Sequence, residues 1–552
     1  SMPEYYDLGP YRRAISTASP EAQVWFDRGL NWTYAFNHDE AVRCFERAIA
    51  VDPECAMAHW GIAYAGGPNY NLEWGMYDPR SLARVVATCH AAARRAGELA
   101  AATTPVEQAL IEAIQARYPA DTPADDCTAW NDAYADAMRS VWREFGNDLD
   151  VATLFADALM NRTPWQLWDL EAGEPAEGAD TVEAREVLER ALESSASHTH
   201  PGVLHMYIHL MEMSPYPERA LRAADRLRDL VPDGGHLRHM PTHIDVLCGH
   251  YHDVVASNSA AIEADERYRE REGAMNLYTL YRIHDYHFKL YGAMLLGQRE
   301  LALQTADELV ASIPAELLRR QDPFDMADRL ESFIGMKLHA LVRFGCWQEI
   351  IDTPLPEDSV LFCVTTALVH YARGVAFAVL GRVEEAGDAR RRFEEAVRAV
   401  PETRYQFNNR SIDLLAIARE MLAGELEYRK ANYDAAFSHL RQAVALDDGL
   451  AYDEPWGWMQ PARHALGALL LEQGRIEEAE AVYRADLGLD GTLARAYQHP
   501  NNVWSLHGYH ECVMRLGKHD LCGMISQRLE IAAARADVPI ASSCFCRTTT
   551  AA

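Results

Sequence analysis

The residue type that stands out for possible chemistry is histidine. Half of the chain's 22 histidines lie between residues 198 and 287. Six of them form three pairs whose members are three or four residues apart: His205 with His209, His239 with His243, and His284 with His287. On a helix these separations place both imidazoles of a pair on one face, where they can share one metal ion. We therefore predict that these six histidines are metal ligands.

The first two pairs share a register. His205 and His239 are 34 residues apart, as are His209 and His243. Axes of packed neighbouring helices lie ~8–10 Å apart, so imidazoles on successive helices can converge on one ion or on two close ions. Five other histidines of this region fall outside the register and are expected to support the ligands at most: His198, His200, His236, His250 and His252.

The predicted ligand set contains imidazoles and no carboxylate, which argues against Mg²⁺, Ca²⁺ and a non-haem iron site. Copper and zinc remain, with copper favoured and zinc as the alternative. Met206, Met211, Met213 and Met240 lie close in sequence and would suit Cu(I). The ligand type and helical spacing resemble those of the binuclear copper proteins tyrosinase and haemocyanin, although the fold expected here is different.

The elements that must position these histidines follow from an internal repeat. Counted from Ala22 as position 1, a large residue stands at 4, small residues at 8, 20 and 27, an aromatic residue at 24 and proline at 32. These residues are Trp25, Gly29, Ala41, Ala48, Phe45 and Pro53. The pattern resembles the tetratricopeptide repeat, a 34-residue helix–turn–helix unit. The resemblance implies an all-α chain, a right-handed superhelix of stacked helix pairs.

Weaker copies of the pattern recur along the chain, for example at Gly424, Gly467 and Gly517. The resemblance implies that positions 5 and 9 of each first helix line the inner groove. His205 and His239 then fall at position 5, and His209 and His243 at position 9. The third pair has His287 at position 5. A groove lined in this way also suits an ordinary peptide-contact surface, which stays an alternative.

Further site residues follow from the same frame. His464 and His507 fall at position 5 of later copies and Glu511 at position 9, and Trp504 lies beside them. We expect His464, Trp504 and His507 to contact a substrate. The residues expected to act in catalysis are Tyr207, Tyr286 and Glu511.

Four regions are predicted: N-terminal repeats in residues 1–175, central histidine-rich metal-binding repeats in 176–345, C-terminal repeats in 346–536 and a non-helical tail in 537–552. Breaks between helices are expected at residues 118–126 and 161–180, which are rich in Pro, Gly and acidic residues.

Cys544 and Cys546 in the tail are expected to be reduced and exposed, or to cap a soft-metal site. The segments around Phe36 and His236 further resemble a bacterial tetratricopeptide subfamily with histidine-rich central repeats.

Composition restricts the partners. The 552 residues carry a net charge of −30, which disfavours nucleic acids and anionic membranes. The N-terminal residues lack the pattern of a secretory signal, and eleven cysteines then indicate reduced thiols in the cytoplasm.

Residues 360–380 are the most apolar stretch, but His370 and Arg373 favour a buried helix over a membrane span. No dinucleotide, P-loop, nucleophile-elbow or HExxH motif is present.

The sequence thus favours a metal-dependent oxidoreductase, with copper as the cofactor and a small organic molecule as the substrate. Two alternatives stay open: a scaffold whose groove binds a peptide or protein partner, and a zinc-dependent hydrolase. In the hydrolase, Glu212, Asp285 or Glu511 would be the base. The 34-residue register of the histidine pairs favours metal binding over peptide binding, because a peptide-binding groove does not require paired histidines at this spacing.

Overall fold

The computed structural model describes residues 4–549, so the last three residues of the predicted tail lie outside it. Helices dominate the described chain, as predicted. In chain order they are α1 (Pro20–Tyr34), α2 (His38–Val51), α3 (Ala56–Ala65), α4 (Pro79–Leu99), α5 (Pro105–Gln115), α6 (Thr128–Phe145), α7 (Leu149–Met160), α8 (Thr181–Leu192), α9 (Pro201–Met211), α10 (Leu221–Leu227), α11 (Gly235–His239), α12 (Thr242–Asp245), α13 (Tyr251–Glu272), α14 (Tyr278–Leu296), α15 (Arg299–Ala311), α16 (Ala315–Leu318), α17 (Met326–Leu330), α18 (Met336–Arg343), α19 (Trp347–Asp352), α20 (Cys363–Val379), α21 (Val383–Arg398), α22 (Ser411–Arg429), α23 (Tyr433–Asp448), α24 (Ala462–Glu472), α25 (Ile476–Asp486), α26 (Val503–Arg515) and α27 (His519–Ala533).

Extended structure is restricted to two short antiparallel hairpins in the part of the chain that the structure describes, apart from one isolated bridge. They pair β1 (Trp168–Asp169) with β2 (Glu174–Pro175), and β3 (Tyr405–Gln406) with β4 (Asn409–Arg410). The predicted helix breaks are confirmed, since α5 ends before residue 118 and α7 ends before residue 161. The apolar stretch 360–380 forms the buried helix α20.

The chain forms two compact units. The first consists of residues 1–244, 260–282 and 321–324, and the second of residues 245–259, 283–320 and 325–552. Across residues 4–549, no helix has both the length and the apolar character that crossing a membrane requires.

Glycines let neighbouring helices approach closely, and one of them is Gly29 at the predicted small position 8. In the first unit, a Cβ atom added to Gly29 of α1 would lie 2.5 Å from the ring of Phe45 on α2. A Cβ on Gly61 of α3 would lie 2.6 Å from the same ring. Phe45 is 1% exposed, so two glycines on flanking helices create the space that its ring fills.

The second unit repeats this arrangement. Tyr483 of α25 fills the space left by Gly467 on α24 and Gly508 on α26, where a Cβ would lie 2.5 and 2.2 Å from its ring. Leu440 of α23 packs in the same way against Gly424 of α22. At Gly29, Gly424 and Gly467 the small residue of position 8 thus makes room for the side chain at position 24.

The close approach of Gly29 to the ring of Phe45 can be tested by substitution. Gly29→Ala should destabilise the protein by ~1–3 kcal/mol, because the methyl group overlaps a buried ring in a packed core. Thermal unfolding should show a lowered Tm.

Gly75 is the matched control in the same unit, since a Cβ there meets nothing within 4 Å. Gly75→Ala should leave the Tm unchanged or slightly raised. Equal Tm values for the two variants would show that Phe45 does not depend on the missing side chain.

Candidate metal centre

Five histidines of the first unit form a closed ring of imidazoles. The order around the ring is His205, His209, His243, His239 and His236. Adjacent ring centroids are 4.7–6.0 Å apart. Each side chain is at most 2% exposed. Buried imidazoles at these separations bring several nitrogen lone pairs into one small volume.

Helix α9 positions two of these side chains. His205 and His209 are four residues apart on it, so both rings project from one face, as predicted. The helix begins at Pro201, which suits the first helical turn, and the side chain of His200 caps it by accepting the Val203 N–H at 3.0 Å.

The second pair is held differently from the sequence expectation. His239 ends α11 and His243 lies in α12, because Pro241 interrupts the helix between them. The expectation of one continuous helix is therefore wrong at this point. The two rings still meet, with Nε2 of His239 2.8 Å from Nε2 of His243.

Acceptors outside the ring fix the orientation of two imidazoles, and a third lies close to one of these acceptors. Nδ1 of His205 donates to the backbone carbonyl of Tyr34 at 2.6 Å. Nδ1 of His209 donates to Oε2 of Glu212 at 3.1 Å, and Nδ1 of His243 lies 3.4 Å from the same oxygen. Because a carbonyl or carboxylate oxygen only accepts, the N–H is on Nδ1 of His205 and His209 and the lone pair is on Nε2.

The electrostatics favour the neutral forms of His205 and His209 and an ionised Glu212. Burial lowers the pKa of His205, and neighbouring His209 lowers it further. Burial also lowers the pKa of His209, although Glu212 opposes this shift. Burial raises the pKa of Glu212, but His243 and His209 outweigh it, so the net pKa lies below the usual range. Neutral imidazole is the form that binds metals.

One nitrogen each from His205, His209 and His236 lies within 4.8 Å of the others. Zn–N and similar bonds are ~2.0–2.1 Å, so small side-chain shifts would let the three share one ion. Nε2 of His205 and Nε2 of His209 are buried and have no hydrogen-bond partner among the described residues. Such orphaned nitrogens fit the donor set of a metal centre.

Aromatic side chains cover the ring. Phe36 lies 4.3 Å from His205, and it stacks on His209 and His236 at 5.7 and 5.3 Å between centroids. Tyr70 also packs against His209, at 4.9 Å. This cover keeps bulk water from the imidazoles.

Phe36 reaches this position through an uncommon backbone conformation. It lies in the turn between α1 and α2 with φ +59°, in the left-handed region. The corresponding turns of other hairpins use glycine with positive φ, as at Gly297, Gly381 and Gly474. A bulky residue in this conformation stores strain, ~1–3 kcal/mol, which is typical of functional sites.

His236 is the ligand candidate that the repeat register misses. The sequence assigned it a supporting role at most, yet its ring belongs to the five. Its spacing of three residues from His239 was the signal that could have identified it. Phe36 could have been found as a bulky residue at a position where Gly297, Gly381 and Gly474 stand in other copies.

The third predicted pair belongs to the second unit. His284 and His287 lie on α14, with Tyr286 between them. Nε2 of His287 is 3.0 Å from the sulfur of Met459, and the ring packs on Phe333 at 5.1 Å. Tyr207, in the first unit, donates its hydroxyl to Glu189 at 3.4 Å, on a different face of α9 from His205.

The remaining predicted residues also lie in the second unit. Both nitrogens of His464 are hydrogen-bonded: Nδ1 accepts from Arg343 at 2.9 Å and Nε2 donates to Asp486 at 3.0 Å. The indole N–H of Trp504 donates to the carbonyl of Met294. His507 is partly buried on α26. Glu511, on the same helix, pairs with two arginines, Arg547 and Arg515.

One family model supports the repeat over a short part of the chain. Residues 22–55 match the family model of the tetratricopeptide repeat. Similar solved structures include the APC/C hetero-tetramer Cut9–Hcn1, with 13% identity, a TM-score of 0.32, and 86% of this chain and 74% of that chain covered. The TPR domain of P58(IPK) shows 10% identity and a TM-score of 0.21 over 90% and 99% of the two chains. Naa15/Naa10 bound to HypK-THB shows 11% identity and a TM-score of 0.21 over 93% and 70%. No curated protein matches the chain.

The backbone at Phe36 leads to a prediction that separates strain from ring packing. Phe36→Gly and Phe36→Ala remove the same ring, but alanine keeps a Cβ that opposes φ +59°. The glycine variant should therefore be more stable by ~1 kcal/mol, which corresponds to a Tm about 1–2 °C higher for a unit of this size. An alanine variant as stable as the glycine variant would show that this turn is unstrained.

Proposed function

We propose that the all-α first unit, in which residues 22–55 match the tetratricopeptide repeat, holds a metal centre. The ligands are drawn from His205, His209, His236, His239 and His243. The centre makes the protein a copper-dependent oxidoreductase. The observation that carries the proposal is the ring of five buried imidazoles with two orphaned Nε2 atoms.

The hydrogen bonds outside the ring support metal binding over simple packing. Glu212 accepts from Nδ1 of His209 and lies close to Nδ1 of His243, so one carboxylate orients the first ring and contacts the second. Ligating histidines in proteins nearly always donate their second N–H to a carboxylate or backbone carbonyl, which fixes the tautomer and raises ligand basicity. The carbonyl of Tyr34 has that role for His205.

The donor set supports copper or zinc. All five side chains offer imidazole nitrogen, and the carboxylate of Glu212 accepts from Nδ1 of His209 and lies 3.4 Å from Nδ1 of His243. Imidazole without carboxylate suits Cu and Zn over Mg²⁺, Ca²⁺ or Mn²⁺. Three nitrogens on one side and the His239–His243 pair on the other provide for about one or two ions.

The space next to the ring supports a small ligand. A cavity of about 20 Å³ borders His205 and is lined by Phe36, His38, Asn69 and Met206. This volume holds about one water-sized molecule. The cavity therefore matches dioxygen or water as the ligand of the centre and is too small for an organic substrate.

Two other functions make different demands on the same residues. A zinc hydrolase would use the imidazoles but would show no reaction with dioxygen. A peptide-binding scaffold is suggested by the tetratricopeptide repeat and would not need a metal. Metal content and oxygen consumption therefore separate the three.

We expect His236→Ala to lower the affinity for Cu²⁺ or Zn²⁺ at least tenfold, because it removes one of three converging nitrogens. The measurement is metal per chain after equilibrium dialysis, on protein prepared without a histidine tag. His252→Ala, which alters an exposed histidine, is the matched control and should retain full metal content. Equal metal content in both variants would remove His236 from the ligand set.

The activity has its own test. Copper-loaded protein supplied with ascorbate should consume oxygen, and His205→Ala should lose most of this rate, because all-imidazole ligation leaves positions open to dioxygen. Oxygen uptake is followed with an electrode at equal protein concentration. Metal binding without uptake would favour the zinc hydrolase, and absence of both would favour the scaffold.

A further inference from the structure

The irregular C-terminal segment of the second unit follows α27 and is deeply buried. Ser543 is 0% exposed and Arg547 is 7% exposed. Cys544 and Cys546 are also buried, and a disulfide joins them. The expectation of an exposed, reduced pair is wrong, because the segment folds back into the unit instead of extending into solvent.

Charged side chains of the helices hold the backbone of this segment. The guanidinium of Arg343 donates to the carbonyl of Ser543, and that of Arg429 donates to the carbonyl of Cys546. The carboxylate of Glu472 accepts the N–H groups of Thr548 and Thr549 at 3.0 and 2.9 Å. Side chains therefore satisfy backbone groups that a strand or helix would otherwise pair.

Two side chains of the segment have their own partners. Arg547 forms a two-pronged ion pair with Glu511, at 2.9 and 3.2 Å. Phe545 packs against Gly345, where an added Cβ would lie 2.7 Å from its Cβ. The ring of Phe545 lies 6.1 Å from Trp504. Aromatic and arginine anchors in buried positions are typical of specific recognition.

Two of the side chains that hold the C-terminal segment lie at equivalent positions of the repeat. Arg429 and Glu472 each lie five residues after the glycine that admits the second helix of their hairpin, Gly424 and Gly467. They therefore occupy equivalent positions of successive hairpins. Because equivalent positions lie along one surface of stacked hairpins, they can bind successive points of one extended segment.

Arg343 gives independent support. Its guanidinium is buried, stacks 3.7 Å above the ring centre of Trp504, and is hydrogen-bonded by Nδ1 of His464 and the carbonyl of Ser543. A buried cation needs acceptors, and one of these two comes from the C-terminal segment. Departure of the segment would leave that donor without its partner unless another carbonyl replaced it.

We propose that Arg343, Arg429, Glu472 and Glu511 form a binding groove for an extended polypeptide segment, which the chain's own C-terminal segment occupies in cis. The groove would bind an extended polypeptide segment that has an aromatic residue two positions before an arginine. Phe545 and Arg547 have this spacing in the chain's own segment. A partner with this pattern must displace the segment, whose tether gives it a high effective concentration, on the order of millimolar. The groove is therefore self-inhibited.

The test uses the full chain and a fluorescent peptide of residues 541–549 with its two cysteines bridged. The double variant Phe545→Asp/Arg547→Ala weakens the cis segment but leaves the groove intact. It should bind the peptide at least tenfold more tightly than the wild-type chain, measured by fluorescence anisotropy. Hydrogen exchange of residues 541–549 should become faster in this variant.

A charge reversal tests the direct contact. Adding Glu511→Arg to the double variant should weaken binding of the peptide at least tenfold, and a peptide carrying Arg547→Glu should restore it. Glu384→Arg, at an exposed glutamate of the same unit, is the matched control and should change nothing. The proposal is overturned if the double variant binds no better than the wild type, if its segment stays protected from exchange, or if Glu511→Arg behaves like Glu384→Arg.

Discussion

The Glu212 carboxylate is the interaction on which the candidate metal centre depends. It is 1% exposed, and an isolated carboxylate at that depth would cost several kcal/mol. Nδ1 of His209 donates to it, and Nδ1 of His243 lies 3.4 Å away, so two imidazoles face the charge. The hydrogen bond to Nδ1 leaves Nε2 of His209 buried without a hydrogen-bond partner among the described residues. One buried anion thus fixes the orientation of one imidazole of the five and contacts a second.

The repeat framework provides the rest of the geometry. Glycines such as Gly29 and Gly61 bring helices close around Phe45, which makes the first hairpin rigid. Tyr34, at the end of α1, then offers its carbonyl to His205 while its hydroxyl donates to Asp150. The turn that follows places Phe36 over the imidazoles at φ +59°. A strained residue is tolerated here because the hairpin on both sides of it is tightly packed.

Much of this arrangement was predictable, and the exceptions have physical causes. The spacing of His205 and His209 on α9 follows from helical periodicity, and the glycine contacts follow from the repeat. The break at Pro241 moves His239 and His243 onto separate helices, and only the tertiary fold restores their contact. His236 lies outside the register, so its ring could not be assigned from a 34-residue frame. The burial of Cys544 and Cys546 depends on Arg343, Arg429 and Glu472, which are distant in sequence.

His464 shows why register alone does not define a ligand. Like His205, it occupies position 5 of its repeat copy and is buried at 0% exposure. Burial lowers its pKa to about 4, so it is neutral as His205 is. Yet Arg343 donates to its Nδ1 and Asp486 accepts from its Nε2, which leaves no lone pair for a metal. In His205 the carbonyl of Tyr34 engages Nδ1, and Nε2 keeps its lone pair. The difference between a structural and a ligating histidine therefore lies in the partner of the second nitrogen, which the fold determines and the spacing does not.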